Sequence, residues 1–109
     1  RWRSHREMAR AAGRVSQDAP TFDEVLRKFW FDTVLHNQDS LELLFKTVGH
    51  DRCCFGTERP GSGGGIDPAT GRAYDDIKPL IEAIPALDDE ARTAIFEGNA
   101  RHLFARLDI

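Results

Sequence analysis

The stretch FWFDTVLHNQDSLELLFKTVGHDRCCFGTERP, residues 29–60, decides the fold of this chain. It opens with an aromatic and β-branched run, residues 29–36, which is typical of a strand. The next residues show the period of an amphipathic helix that Asp39 caps and Gly49 ends. Residues 52–57 are apolar without alternation, as in a strand covered on both faces. The apolar stripe of the helix consists of Leu41, Leu44, Phe45 and Val48.

Strand, helix and strand in this order predict a parallel βαβ unit, because a crossover of about a dozen residues suits parallel strands. A stable parallel sheet needs more than two strands and cover on both faces. We therefore expect the chain to form one end of a larger α/β fold. Further helices flank the unit. Their predicted boundaries are a capping box at Thr21 and Glu24, caps at Asp76 and Asp88, and a break at Gly98.

The bulk properties indicate a soluble globular protein. The chain has 109 residues, of which 40% are hydrophobic and 30% charged, and its net charge is −3. An acidic balance argues against binding to nucleic acid or to an anionic membrane surface. The sequence contains no apolar run of membrane-spanning length. The size suits one small domain or part of a larger one, and the start at Arg1 rather than Met predicts processing or a piece of a longer protein.

The cysteines are adjacent, at Cys53 and Cys54. Neighbours in a strand point to opposite faces, so a disulfide between them is not expected. Free thiols favour a reducing, cytoplasmic setting. A vicinal pair acting as a redox or metal site is the alternative, although the sequence offers no further cysteine for a zinc site.

Glu58 lies where the second predicted strand ends. Ligands of α/β folds sit at the carboxyl ends of parallel strands. His36 holds the same place on the first strand, with Asp32 and Thr33 slightly deeper. A carboxylate with an imidazole suits a divalent metal ion or an acid/base pair. The alternatives are a surface charge or helix cap for Glu58 and a structural role for His36.

A glycine-rich loop, GSGGG at residues 61–65, follows Glu58. A phosphate loop would open directly into a helix and supply a lysine, whereas here a predicted turn at residues 67–71 intervenes. A lid or connector is the preferred interpretation, with a phosphate-binding module as the alternative. The arginines able to bind a carboxylate through two hydrogen bonds are Arg1, Arg3 and Arg59, unless they are surface charges.

Residues 31–60 resemble the C-terminal part of the amidohydrolase-related (β/α)8 barrels, the group that includes aminocarboxymuconate-semialdehyde decarboxylase. The sequence GTERP at residues 56–60 matches the family motif G-x-D/E-x-P after the eighth strand. Within the family, GIDPATGRAYDD at residues 65–76 and NARHLFARLD at residues 99–108 are similar to 4-oxalomesaconate hydratases, which also carry Glu at this strand end.

The resemblance implies an α/β fold in which residues 1–109 form the C-terminal segment of a single TIM barrel domain, about the last two β/α units plus closing helices. It implies a metal-dependent hydratase acting on an unsaturated oxo-di- or tricarboxylic acid such as 4-oxalomesaconate, in the degradation of aromatic compounds. A non-oxidative decarboxylase or a hydrolase of the same family is the near alternative. A non-catalytic helical interaction domain is an alternative of another class, which predicts that no parallel strand pair forms.

The resemblance also implies roles for individual residues. Glu58 takes the position of the metal-coordinating or catalytic acid, and Arg1 that of an arginine that holds a substrate carboxylate. The family has no counterpart of Arg59, whose assignment to substrate binding rests on its own chemistry. The expected cofactor is a divalent metal, zinc by preference, whose other ligands lie upstream of Arg1 in the family. The chain alone is thus expected to be inactive, and the full-length enzyme to be a homo-oligomer that binds a small carboxylic acid.

Overall fold

A computed structural model describes residues 1–61 and 63–106 of the chain. The α-helices of this part are Trp2–Ala11 (α1), Phe22–Leu26 (α2), Gln38–Val48 (α3), Lys78–Glu82 (α4), Asp89–Thr93 (α5) and Asn99–Leu103 (α6). The strands are Phe31–Asp32 (β1) and Cys53–Cys54 (β2), with a 3-10 turn at His50–Arg52 and a π-helical turn at Ala94–Gly98. Within the described residues, none of these helices is long and apolar enough to cross a lipid bilayer.

The two strands are parallel, and α3 is the crossover between them. Phe31 pairs with Cys53, and Asp32 pairs with Cys54. This confirms the predicted βαβ unit, although the paired segments are shorter than residues 29–36 and 52–57. The helical interaction domain is ruled out, because that alternative required the absence of a parallel pair.

The Thr33 side chain continues the strand pairing beyond the ladder. Its hydroxyl donates to the Gly56 carbonyl oxygen at 3.3 Å and accepts from the Gly56 N–H at 3.1 Å. Thr33 is completely buried, so water does not compete for these two bonds. The second strand is therefore held against the first up to Gly56, two residues before Glu58.

The crossover helix α3 starts earlier than the sequence predicted. Asn37 is its N-cap and accepts from the Ser40 N–H at 3.1 Å, so the assignment of the cap to Asp39 was wrong. Asp39 instead lies in the first turn, where its negative charge interacts favourably with the positive end of the helix dipole. The predicted apolar stripe is confirmed for three of its four residues, since Leu41, Phe45 and Val48 are buried.

The hydrophobic core lies between α3, β2 and the helices that follow the long loop. Asp88 caps α5 as predicted, accepting from the Ala91 N–H at 2.8 Å. Asp76 does not cap α4, which begins at Lys78 without a side-chain cap. The buried apolar residues of this cluster are Leu41, Phe45, Val48, Cys53, Ile81, Ile84, Leu87, Ala91 and Ile95.

Asn99 ties the closing helices to the second strand. Its side-chain amide donates to the His50 carbonyl at 2.8 Å and to the Cys53 carbonyl at 2.7 Å. The predicted break at Gly98 is wrong, because the π-helical turn leads directly into α6 and brings the Asn99 side chain onto these two carbonyls. π-Helical turns are rare and occur mostly as single turns inside α-helices.

We expect Asn99→Ala to lower the free energy of unfolding of the full-length protein by about 1–3 kcal/mol, because two carbonyl groups then lose their donor. Urea unfolding followed by circular dichroism measures this value. Gln38→Ala is the matched control, since among the described residues its amide bonds only Glu42 and the loss of that bond costs a few tenths of a kcal/mol. Equal losses for the two variants would contradict a bridging role for Asn99.

Candidate active site

Glu58 lies on the carboxyl side of the second strand, as the sequence predicted, but four residues beyond Cys54, where that strand ends. Its φ is 63°, in the left-handed region that side-chain-bearing residues seldom adopt. Such residues persist where surrounding structure holds them, and they cluster at functional sites. The residue is exposed, so its carboxylate is available to a ligand.

Gly61 holds the turn that presents Glu58. A β-carbon at position 61 would lie only 2.4 Å from the Glu58 carbonyl oxygen. Only glycine allows the two backbone segments to approach this closely. The tight approach fixes the direction in which the chain leaves Glu58.

His36 is fastened to the far end of the long loop. Its Nδ1 lies 3.1 Å from the Tyr74 carbonyl oxygen, so Nδ1–H donates to this carbonyl. A β-carbon at Gly63 would lie 3.5 Å from His36 Cε1 and 3.1 Å from Asp75 Cβ. His36 and Asp75 therefore flank the loop at Gly63, at the same sheet edge as Glu58.

Asp75 is the site residue that the sequence reasoning missed. Its side chain is only 2% exposed, and its Oδ2 accepts from Arg59 Nε at 2.9 Å. Because Asp76 was assigned as the helix cap, Asp75 was left without a role. The sequence signal that could have pointed to it was the adjacent pair of acids, Asp75 and Asp76. One carboxylate is enough to cap a helix, so the second acid would need a different partner.

Arg59 lines a hollow beside Glu58. The hollow has a volume of about 390 Å³ and is lined by Arg59, Pro60, Gly61, Gly64 and Asp75. The Arg59 side chain is about half exposed. Its ion-pair partner among the described residues is Asp75. The wall of this hollow therefore carries the positive charge of Arg59, next in the chain to Glu58.

Arg1 lies away from these groups in the contacts that the structure describes. It is the N-terminal cap of α1, which packs on α2 through an edge-on contact between Trp2 and Phe22 at 4.9 Å. Arg3, on the same helix, pairs with Asp23 and is not available to a ligand in this arrangement. Among the described residues, no hydrogen bond or ion pair joins Arg1 to Glu58 or Arg59, so its assignment to substrate binding stays a prediction.

The long loop folds into a turn of its own. Ile66 and Ala73 form an antiparallel bridge, and the Asp67 carbonyl accepts from Gly71 N–H at 2.8 Å. This confirms the predicted turn at residues 67–71. The glycines therefore lead into a hairpin, and the next helix, α4, begins only at Lys78, which is unlike a phosphate loop.

The described residues do not by themselves form a metal centre. Residues 1–61 and 63–106 contain no group of three His, Cys, Asp or Glu side chains placed to hold a metal ion. A defined site needs three or four ligands. Glu58 offers one suitable oxygen donor at the sheet edge, and the remaining donors would have to come from elsewhere.

The two cysteines are free; Cys53 is buried and Cys54 is partly buried. Burial, reinforced by Cys54, Asp51 and Asp32, raises the pKa of Cys53 to about 12, and its Sγ donates to the Gly49 carbonyl at 3.5 Å. Burial also raises the pKa of Cys54. Both thiols are therefore protonated at neutral pH, which disfavours the vicinal pair as a redox or metal site.

The family model described as Amidohydrolase matches residues 1–106 of the chain. The chain belongs to the amidohydrolase family. This confirms the resemblance drawn from the motifs after the second strand, and it places Glu58 within the matched segment.

Two relatives of this amidohydrolase chain are known enzymes. It is 41% identical over 90 residues to the 2-keto-4-carboxy-3-hexenedioate hydratase of a Sphingobium species, covering 82% of the chain and 26% of that protein. It is 27% identical over 77 residues to the 2-amino-3-carboxymuconate-6-semialdehyde decarboxylase of Dictyostelium discoideum, covering 71% of the chain and 19% of that protein.

Solved structures agree with this placement. The 4-oxalomesaconate hydratase of Rhodopseudomonas palustris superposes with a TM-score of 0.73 at 38% identity, over 96% of this chain and 32% of that one. The apo form of IDCase from Metarhizium anisopliae gives a TM-score of 0.67 at 23% identity, over 93% of this chain and 29% of that one, which supports the fold alone. The chain thus spans about a quarter to a third of the length of its closer relatives.

We expect Gly61→Ala to displace Glu58, because the new β-carbon would overlap the Glu58 carbonyl. Hydrogen–deuterium exchange in the peptide that contains residues 57–61 should increase, with a loss of stability of about 1 kcal/mol or more. Gly64→Ala is the matched control, since its β-carbon would meet only the Gly61 carbonyl at an ordinary 3.6 Å. Unchanged exchange at Glu58 in the Gly61 variant would refute the proposed constraint.

We expect both thiols of the native protein to resist iodoacetamide at pH 8, because a raised pKa leaves little thiolate at that pH. In urea their pKa returns to about 8.5 and alkylation becomes fast. Mass spectrometry of labelled Cys53→Ser and Cys54→Ser variants assigns each rate. Fast native labelling of Cys53 in the Cys54→Ser variant would contradict its burial.

Proposed function

We propose that the chain is the C-terminal segment of a (β/α)8 barrel enzyme, about its last two β/α units and closing helices. We further propose that this enzyme adds water to an unsaturated oxo-di- or tricarboxylic acid of the 4-oxalomesaconate type, in the degradation of aromatic compounds. The observation that carries the proposal is 41% identity to a hydratase over 82% of the chain. The superposition on a 4-oxalomesaconate hydratase at 38% identity supports it.

Hydration of such a substrate needs a group that moves protons. The water oxygen bonds to the β-carbon of a double bond conjugated with a carbonyl, the π electrons move to the α-carbon, and that carbon takes a proton. Glu58 is proposed to accept the proton from water or to deliver one to carbon, since its exposed carboxylate stands at the ligand-binding edge of the sheet. The left-handed turn and Gly61 hold it in one direction.

The substrate also carries several carboxylates, which need cationic partners. Arg59 is proposed to bind one of them, because its guanidinium borders the hollow beside Glu58. Arg1 remains a second candidate for a substrate carboxylate. The proposal includes a divalent metal, zinc by preference, for which Glu58 is the ligand that this chain would contribute. The full-length enzyme is proposed to be a cytoplasmic homo-oligomer.

Non-oxidative decarboxylation is the second candidate function. It is supported by the 27% identity to a semialdehyde decarboxylase over 71% of the chain. Incubating the full-length protein with 4-oxalomesaconate separates the two candidates, because hydration consumes the conjugated chromophore without release of carbon dioxide. Release of carbon dioxide in step with substrate loss would favour the decarboxylase.

We expect Glu58→Gln to lower turnover by the full-length enzyme roughly 100-fold or more, because the amide cannot move the proton. Glutamine keeps the size of the side chain, so the free energy of unfolding should change by less than about 0.5 kcal/mol. Glu82→Gln is the control, since the one ion pair of Glu82 within residues 1–61 and 63–106 is an exposed contact with Lys78 at 3.7 Å.

Elemental analysis of the same Glu58 variant separates its two proposed roles. Loss of bound metal indicates a ligand, whereas retained metal with lost turnover indicates an acid/base group. Unchanged metal content together with an unchanged rate would rule out both roles.

A further inference from the structure

The ion pair between Arg59 and Asp75 is unusual in its distribution of exposure. Both residues line the hollow, but the Asp75 side chain is 2% exposed whereas the Arg59 side chain is 55% exposed. A buried carboxylate is costly unless a charge and hydrogen bonds compensate it. Among the described residues, Arg59 is the only ion-pair partner of Asp75. The Oδ1 atom of Asp75 accepts no hydrogen bond from these residues.

In this ion pair, Asp75 is bound by only one of the three nitrogens of the Arg59 guanidinium. Arg59 Nε donates to Asp75 Oδ2 at 2.9 Å. In the described part of the chain no acceptor is bound by the two Nη atoms. These two atoms form the fork that binds a carboxylate through two parallel hydrogen bonds.

The loop backbone holds the two partners in place. The Tyr74 N–H donates to the Gly65 carbonyl at 2.9 Å, and the Asp75 N–H donates to the Gly63 carbonyl at 3.0 Å. Asp75 is therefore fixed by its backbone before any ligand arrives. An arginine held by a fixed carboxylate loses less side-chain freedom when it binds.

We propose that Asp75 is a positioning residue that turns the Nη fork of Arg59 toward the hollow, where the fork binds a substrate carboxylate that takes no part in the reaction. This inference rests on the proposed function for the identity of the substrate. The inference adds that the Arg59–Asp75 pair makes the hollow selective for acids that carry this additional carboxylate. Because that carboxylate does not react, the contact is equally strong in the ground state and the transition state.

The test uses the full-length protein and the variants Asp75→Asn, Arg59→Met and the double variant. Each single variant should raise KM for 4-oxalomesaconate roughly tenfold while kcat changes by less than about threefold, as for a uniform binding contact. The double variant should be no worse than Arg59→Met, because Asp75 acts only through Arg59. Glu82→Gln, which removes an exposed ion pair, is the control for a simple change in charge.

Calorimetric titration with trans-aconitate, an unsaturated tricarboxylate, supplies a readout that does not need turnover. Its affinity should fall roughly tenfold in Asp75→Asn and in Arg59→Met. An unchanged Kd and KM in Arg59→Met would overturn the inference, and so would an Asp75→Asn variant that loses only thermal stability. If the Asp75→Asn variant does not fold, the Arg59→Met variant decides whether the carboxylate contact exists. Arg59 is exposed, so this substitution is expected to leave the fold intact.

The two proposals fail in different ways. If 4-oxalomesaconate is not hydrated but trans-aconitate binding is lost in both variants, the hydratase proposal fails and the carboxylate anchor stands. If hydration occurs and neither variant changes KM, the anchor is refuted and the hydratase proposal stands. If the wild-type protein does not bind trans-aconitate at all, the anchor is also refuted.

Discussion

The hydroxyl of Thr33 is the contact on which the geometry of the site depends. The ladder between the strands joins only two residue pairs, and the Thr33 side chain adds two hydrogen bonds to the Gly56 backbone beyond it. A buried hydroxyl that both donates and accepts is strongly held, because neither bond is exchanged with water. It holds the chain at Gly56 against the first strand, beyond the end of the second, and hence sets the position from which Glu58, Arg59 and the long loop start.

The elements that local chemistry determines were predicted well. The crossover helix, the cap at Asp88 and the turn at residues 67–71 depend on residues within a few positions of one another. The parallel pair followed from the length of the crossover. The error at Asp39 has a simple cause: several short polar residues precede α3, and propensity alone does not decide which one adopts the extended backbone of a cap. Asp76 fails for another reason, because the residue before α4 is Ile77 in helical backbone and no side chain caps this helix.

Tertiary contacts explain what local patterns missed. Gly98 before Asn99 looked like a helix break, but the Asn99 amide bonds two carbonyls 46 and 49 residues away, and the helix continues to place it there. Asp75 was overlooked because its partner lies on the other side of the loop. The position of Glu58 was predictable from strand order, whereas the hollow beside it depends on the fold of residues 59–75 and is not visible in any sequence window.

The left-handed backbone at Glu58 has a consequence for the choice of acid at this strand end. Aspartate adopts positive φ more readily than glutamate, so the shorter acid would be the easier residue at this conformation. The chain nevertheless carries the longer side chain, which reaches farther from the sheet edge by one carbon–carbon bond, about 1.5 Å. The residue found there is therefore the one with the longer reach, and its carboxylate can extend farther from the carboxyl ends of the two strands than that of an aspartate.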